Sequence, residues 1–243
     1  MTAGRKNRLR TGLMAAVLLF GMALGGVLGR GCRSAARGAD AIPPELRELA
    51  ARNPETRQFV ADYPEEINAA HAIDLSAEAA SDTVPLLLQW DERWGYETYN
   101  DTFFALSGCG PTCLSMAALY LTGDPDETPL YMAEFAQAHG YAVPGSGSSW
   151  TLISEGAREL GFDVTEIPWD EQRILANLDV GNPIICVMGP GDFTTDGHFI
   201  VLTAEENGAV RVNDPNSRAN SERLWALDTL REQTRVLWVL RYY

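Results

Sequence analysis

The stretch SGCGPTCLSM at residues 107–116 places a cysteine directly before the start of a helix. Pro111 suits the first turn of that helix, where its missing N–H costs no hydrogen bond, and the apolar run after it predicts a helix that continues to Thr122. Cys109 would then face free backbone N–H groups and the positive end of the helix dipole, both of which favour a thiolate. The stretch therefore indicates a reactive cysteine or, alternatively, a buried structural cysteine at a helix start.

The residues around this cysteine and the other thiols are expected to play structural parts. Gly108 and Gly110 would allow a tight turn and leave room for a substrate to approach. Cys113 lies one helical turn further on and is expected to pack inward as a small apolar residue, as is Cys186 in the strand-like run PIICVM. With Cys32 the chain has four cysteines, which are too few and too scattered for a disulfide scaffold.

A nucleophilic cysteine needs a base, and the chain has three histidines. His71 falls in a polar spacer, and His139 ends a predicted helix, where its charge suits the helix C-terminus. His198 begins the strand-like run HFIVLTA, and Asp214 follows the next such run, after a hairpin turn at residues 207–208. A hairpin of this size would bring the Asp214 carboxylate to the imidazole and fix its tautomer. The order cysteine, histidine, aspartate therefore favours a cysteine nucleophile with a histidine base.

Helix patterns come first along the chain and strand patterns dominate later. After the helix at Pro111, further helices are predicted at residues 129–139, 150–160 and 171–178, and strands at residues 84–90, 162–167, 183–188, 198–204, 209–213 and 234–242. This order predicts an α+β fold in which N-terminal helices pack on an antiparallel sheet.

At these motifs the sequence resembles the C39-like cysteine peptidases of the papain-like clan, and the resemblance covers nearly all of residues 84–243. The motifs that carry it are QWDERWGY, SGCGPTCLSM, GSGSSW, GDFTTDGHFIVL and NDPNS. The resemblance implies a papain-like fold and a cysteine peptidase that hydrolyses amide bonds of a peptide or protein substrate without a cofactor. It also implies that Cys109 is the nucleophile, His198 the general base and Asp214 the residue that orients the base.

The residue of the oxyanion hole departs from one branch of this family. Peptidase domains fused to bacteriocin exporters carry a glutamine six residues before the cysteine, where this chain has Phe103. The candidate is instead Gln89, twenty residues before the cysteine, as in the stand-alone C39-like domains. Its amide and the backbone N–H of Cys109 would hold the oxyanion. Alternatively, Gln89 is a loop amide that satisfies backbone groups.

Composition and charge exclude other classes of protein. Because 46% of the residues are hydrophobic, the chain is not a disordered polymer. Residues 41–243 carry 12 basic and 32 acidic side chains, so this part of the protein would repel phosphates, and no nucleic-acid partner is predicted. Asp192 and Asp196 lie near His198, but loop acids of this kind are more often solvated than metal-bound, and no metal site is predicted.

The first 83 residues are predicted to lie outside the catalytic domain. Residues 1–10 form a basic, cytoplasmic segment, and residues 11–29 form an uncharged run of 19 residues, long enough for a transmembrane anchor or signal sequence. Residues 30–83 are predicted to be a linker with short helices. The catalytic domain at residues 84–243 would then be extracytoplasmic, on a single-pass membrane protein or on a secreted one.

Two details of this segment leave alternatives open. Cys32 would be the modified cysteine of a lipoprotein, but Arg30 stands where small or apolar residues are needed. Gly21, Gly25 and Gly29 repeat at four-residue spacing, which would allow weak self-association of two anchors, although glycine is also common in membrane helices.

Two other functions fit the same sequence. A cell-wall peptide amidase would use the same site on a different substrate. A peptide-binding module would keep the fold without activity, although the presence of Cys109, His198 and Asp214 together argues against it.

Overall fold

The computed structural model describes residues 42–243. The chain divides into two units after Glu48, and the second, residues 49–243, is compact and contains every predicted site residue. Residues 42–48, the described part of the first unit, include the start of helix α1 (Pro44–Arg52).

Three short helical segments follow α1: a 3₁₀ turn (Pro54–Thr56), α2 (Arg57–Glu66) and α3 (Ser76–Ala79). Asn53 caps the 3₁₀ turn, since its side-chain oxygen accepts a hydrogen bond from the Glu55 N–H. Phe59 and Val60 of α2 are both buried. These segments belong to the same compact unit as the sheet described below.

The helix predicted from SGCGPTCLSM is present as α5 (Cys109–Thr122), which follows a one-turn helix, α4 (Phe104–Ser107). Residues 110–119 are all buried, so protein surrounds this helix on every side between its first residue and its last turn. It ends at Gly123, which has a φ of 69°.

The remaining helices lie around the sheet: α6 (Pro129–Ala138), α7 (Ala157–Glu159) after a π-helical turn (Leu152–Gly156), α8 (Glu171–Asp179), α9 (Arg218–Glu222) and α10 (Leu227–Gln233). Thr128 and Asp170 cap α6 and α8 through side-chain oxygens that accept N–H hydrogen bonds. The helix predicted for residues 150–160 is present as the π-helical turn followed directly by α7, so the chain is helical from Leu152 to Glu159.

Six strands form one antiparallel sheet: β5 (Asp163–Ile167), β6 (Ile184–Met188), β7 (His198–Glu206), β8 (Ala209–Asn213), β9 (Leu224–Ala226) and β10 (Thr234–Arg241). Their order across the sheet is β5–β10–β6–β7–β8–β9. Asn207 and Gly208 join β7 to β8 with φ angles of 55° and 79°, the geometry of the two-residue turn that the sequence predicts. The predicted α+β fold is confirmed.

Hydrophobic side chains bury both faces of this sheet. Along β7, Phe199 and Val201 belong to the cluster that contains α5. Ile200 belongs to the second cluster, which contains Ile174 of α8. Successive residues of a strand point to opposite faces, so β7 is covered by protein on both sides and its first residues lie inside the molecule.

The strand predicted at residues 84–90 is wrong. Within the described part of the chain, residues 84–88 have no regular structure and pair with no strand, and residues 89–90 form a turn. The side-chain amide of Asn213 donates to the carbonyl oxygens of Val84 and Pro85, both at 3.0 Å, and so replaces the hydrogen bonds of a ladder. The sequence analysis also misses two small hairpins: β1 (Thr98–Tyr99) with β2 (Thr102–Phe103), and β3 (Ala142–Val143) with β4 (Gly147–Ser148).

The helices that the structure describes contradict the prediction of a transmembrane protein with an extracytoplasmic domain. Across residues 42–243, no helix has both the length and the apolar character needed to cross a membrane. The longest of them, α5, has 14 residues, whereas about 20 are required. Residues 1–10, the proposed anchor at residues 11–29 and the proposed self-association through its glycines lie outside the described residues.

Candidate active site

Cys109 occupies the first position of α5 and is the only one of the three described cysteines that is not fully buried. The imidazole of His198 and the backbone N–H groups of Phe199 and Gly110 all act on its thiol. Burial raises the pKa of the thiol, but the hydrogen bond and the charge of His198, together with the two N–H groups, outweigh it. The pKa of Cys109 is therefore lowered below its ordinary value, which favours a thiolate.

The two glycines beside Cys109 are required for close packing rather than for an unusual turn. Gly108 has a φ of −82°, which any residue can adopt. A Cβ atom on Gly108 would lie 2.3 Å from the ring of Phe104, and one on Gly110 would lie 2.8 Å from Oγ of Ser148. Ser148 belongs to the GSGSSW stretch, so this stretch borders the helix entrance at Cys109.

His198 and Asp214 form a buried pair. The distance between Nε2 of His198 and Oδ1 of Asp214 is 2.7 Å, and the two side chains are 7% and 1% exposed. A carboxylate can only accept, so Nε2 carries the proton, and Nδ1 is the ring nitrogen left to bond the Cys109 thiol. Burial lowers the pKa of His198, but the charge and hydrogen bond of Asp214 and the interaction with Cys109 raise it overall, to about 10.

The Asp214 carboxylate is also held by the loop that follows it. Oδ1 accepts a hydrogen bond from the backbone N–H of Asn216 at 2.8 Å, and Oδ2 accepts one from Nδ2 of Asn220 at 2.8 Å. The backbone N–H of Asp214 donates to Oγ of Ser221 at 2.9 Å. Asn216, Asn220 and Ser221 were not identified from the sequence. The Asn and Ser residues that follow Asp214 were the available signal, since such side chains often bond to nearby backbone.

Gln89 lies beside the same loop, because its backbone N–H donates to the carbonyl oxygen of Pro215 at 2.8 Å. Its Nε2 donates to the carbonyl oxygen of Ala105 at 2.7 Å. A carbonyl oxygen can only accept, so this contact identifies the amide nitrogen and leaves one of its two N–H groups for another partner. Among the described residues, Oε1 of Gln89 is buried and has no hydrogen-bond partner.

The other cysteines are less suited to act as nucleophiles. Cys113 and Cys186 are fully buried, the first in the α5 cluster and the second in the α8 cluster. Burial raises the pKa of Cys113 well above its ordinary value, and burial also raises that of Cys186. Both thiols are packing residues, as expected from the sequence.

The other two histidines have partners away from Cys109. His139 caps the end of α6, and its Nδ1 lies 2.8 Å from Oε2 of Glu159 while its ring stacks on Phe135 at 4.2 Å between centroids. Nε2 of His71 lies 3.6 Å from Oε2 of Glu66.

The loop before His198 is held by hydrogen bonds from a side chain that was not identified from the sequence. Gln233, the last residue of α10, accepts from the Asp192 N–H at 2.7 Å and donates to Oδ2 of Asp192 at 2.6 Å. Asp196 is exposed, and its carboxylate accepts from Oγ1 of Thr195 at 3.3 Å. Across residues 42–243, no group of histidine, cysteine and acidic side chains is arranged to hold a metal ion.

Comparison with known proteins gives one strong match. Residues 81–242 match the sequence model of the Peptidase_C39 like family, which covers more than half of the chain. No curated protein matches the chain.

Several solved peptidase domains are similar at low sequence identity. The peptidase domain of Streptococcus ComA, a bi-functional ABC transporter, is 19% identical with a TM-score of 0.49; the match covers 66% of this chain and 99% of that one. The corresponding domain of Streptococcus mutans ComA is 17% identical with a TM-score of 0.40, over 64% and 97% of the two chains. A double glycine motif protease from an AMS/PCAT transporter, solved with its leader peptide, is 17% identical with a TM-score of 0.42, over 66% and 92%.

Proposed function

This chain belongs to the Peptidase_C39 like family and is a cysteine-type peptidase, and from that premise we propose that Cys109, His198 and Asp214 carry out its reaction. The observation that supports the proposal best is the 2.7 Å contact between the His198 imidazole and the buried Asp214 carboxylate, next to a thiol whose pKa the same imidazole lowers. It supplies a nucleophile, a group that moves protons and a group that orients it.

The geometry favours a thiolate–imidazolium pair as the resting state. In the first step, Sγ of Cys109 attacks the carbonyl carbon of the substrate, a C–S bond forms and the carbonyl oxygen becomes an oxyanion. The C–N bond then breaks, and the proton on Nδ1 of His198 passes to the departing amine. Water next attacks the thioester, His198 accepts its proton, and the C–S bond breaks to release a carboxylic acid and restore the thiolate. Asp214 keeps Nε2 protonated and the ring in place throughout.

Gln89 is proposed to stabilise the oxyanion with the N–H group that Ala105 leaves free, together with the backbone N–H of Cys109. Its contacts with Ala105 and Pro215 fix the amide beside the triad, so the donor needs no reorganisation when the charge develops.

Replacing Gln89 with alanine should lower kcat by about 10²- to 10³-fold, because one donor to the oxyanion is lost. KM should change little, since the substrate carbonyl in the ground state carries much less charge than the oxyanion. Steady-state kinetics with a cleaved peptide measures both constants, and a thermal melt of the variant shows whether the Ala105 contact matters for stability. An unchanged kcat in a folded variant would make Gln89 a structural loop amide.

The thiolate–imidazolium pair is tested by alkylating the protein with iodoacetamide across a range of pH and mapping each cysteine by mass spectrometry. Because the pKa of Cys109 is lowered, its alkylation should remain fast well below the pKa of about 8.5 of a free cysteine, and peptidase activity should be lost in parallel. As the pH falls through the pKa of Cys109, the thiolate is protonated and the rate falls. A profile like that of a free thiol, or labelling of Cys109 with full retention of activity, would contradict the proposal.

A further inference from the structure

Residues 53–55 precede the stretch that matches the family, yet they contact the loop that holds Asp214. The Glu55 carboxylate accepts three hydrogen bonds from this loop: Oε1 from Oγ of Ser217 at 2.7 Å and from the N–H of Ala219 at 3.4 Å, and Oε2 from the N–H of Arg218 at 2.8 Å. A single carboxylate thus binds three consecutive residues that lie more than 160 positions away in the sequence.

Asn53 holds the same loop at a second point. Its Nδ2 donates to the backbone carbonyl oxygen of Asn216 at 2.7 Å, and Nε1 of Trp90 donates to the same oxygen at 3.1 Å. Oδ1 of Asn53 meanwhile accepts from the Glu55 N–H at 3.1 Å, so the two side chains are fixed relative to each other. We call Asn53 and Glu55 the clamp residues.

The clamp residues hold the loop whose donors fix the Asp214 carboxylate, and they contact one of these donors, Asn216, directly. The N–H of Asn216 donates to Oδ1 of Asp214, and Nδ2 of Asn220 donates to Oδ2. The backbone N–H of Asn220 donates in turn to Oγ of Ser217, the hydroxyl that donates to Glu55. The path from Glu55 to the carboxylate therefore runs through the Ser217 hydroxyl to Asn220, which bonds Ser217 through its backbone N–H and Asp214 through its side chain.

We propose that Asn53 and Glu55 are positioning residues for the peptidase reaction, which act by holding the loop after Asp214 so that its carboxylate stays against His198. The inference rests on the proposed function, in which Asp214 orients His198. Neither clamp residue touches the thiol or the imidazole. Without the grip on Ser217 and Asn216, the loop gains freedom, the Asp214 carboxylate loses its fixed donors, and the imidazolium is less well stabilised.

The segment that carries the clamp residues is anchored independently of them. Phe59 stacks on Tyr96 with ring centroids 4.2 Å apart, and the Tyr96 hydroxyl donates to the carbonyl oxygen of Phe59 at 2.6 Å. Thr56, which lies between Glu55 and Phe59 in the chain, is fully buried. Changing the Glu55 carboxylate should therefore release the Asp214 loop without undocking the segment.

The test compares Glu55→Gln and Glu55→Ala with Glu65→Gln in the full chain. Glu65 is exposed on α2, so its variant makes the same charge change away from the loop. We expect kcat to fall about 10- to 100-fold in the Glu55 variants, with KM changed less than about twofold. The pH profile of Cys109 alkylation should move to higher pH, because a less stabilised imidazolium supports the thiolate less well. Glu65→Gln should match the wild-type protein in all three measurements.

A double-mutant cycle separates positioning from general loss of structure. If Glu55 acts through Asp214, Glu55→Gln should have almost no further effect on the alkylation profile or on kcat in a protein that already carries Asp214→Asn. An equal fold-loss in both backgrounds would overturn the inference, as would Glu55 variants that match the wild-type protein. An ordinary thiol profile in the wild-type protein would instead contradict the proposed function itself, so the two failures are distinguishable.

Discussion

Substituting Cys109 with alanine should abolish peptidase activity while leaving the fold intact. The variant lacks the only described thiol whose pKa is lowered by a neighbouring imidazole, and no other group in the site can form the thioester. The loss should reach about 10⁴-fold or more in kcat. Turnover of a cleaved peptide measures it, and circular dichroism with a thermal melt checks the fold.

Cys113→Ala is the matched control for this variant. Cys113 lies on the same helix and is fully buried, and burial holds its pKa well above the ordinary value. Its replacement should leave kcat within about threefold of the wild-type value and reduce the free energy of unfolding by about 1 kcal/mol, through lost packing. If Cys113→Ala removed the activity and Cys109→Ala kept it, the assignment of the nucleophile would be wrong.

Local signals were sufficient for the parts of the site that lie on regular elements. Pro111 and Gly123 indicate both ends of the helix that presents Cys109, and the structure has these ends within two residues. The Asn207–Gly208 turn fixes the pairing of β7 with β8, and this pairing brings His198 and Asp214 together. The α+β fold was predictable from the helical and strand patterns of hydrophobic residues, because each pattern depends only on residues close together in the sequence.

The parts that depend on distant residues could not be predicted in this way. The apolar run at residues 84–90 has the composition of a strand, but its backbone oxygens are taken by the side chain of Asn213, which no local pattern reveals. The predicted linker gave no sign that Glu55 reaches Ser217, since a glutamate after Asn-Pro also suits a simple helix start. Contacts between residues so far apart in sequence become visible only in three dimensions.

The interactions around the reacting groups explain why a buried acid and a buried base can coexist at this site. Desolvation alone would neutralise both the thiolate of Cys109 and the imidazolium of His198. In the proposed resting state, each charge is stabilised by the other, and the Asp214 carboxylate adds a negative charge at 2.7 Å from the far ring nitrogen. The carboxylate is in turn held by two donors from its own loop. The charges of the site therefore depend on Asp214 more than on any other residue that does not react.

Replacing Asp214 with asparagine should consequently lower kcat/KM by about 10²- to 10⁴-fold, while preserving the shape of the side chain. The asparagine has no charge to raise the pKa of His198, so the effect of burial, which lowers this pKa, is opposed only by the interaction with Cys109. The pKa of Cys109 should rise with the loss of the imidazolium. The active ion pair exists between these two pKa values, and so the acidic limb of the pH–rate profile should move to higher pH and the alkaline limb to lower pH.

The pH dependence of kcat/KM and of Cys109 alkylation measures both limbs, and Asp196→Asn supplies the control. Asp196 is exposed two residues before His198, so its variant removes the same charge from the same neighbourhood without touching the imidazole. It should shift neither limb by more than about 0.3 pH units, since an exposed charge is screened by solvent and salt. If Asp214→Asn retained the wild-type profile, or if Asp196→Asn narrowed it to the same extent, the Asp214 carboxylate would not be the group that sustains the ion pair.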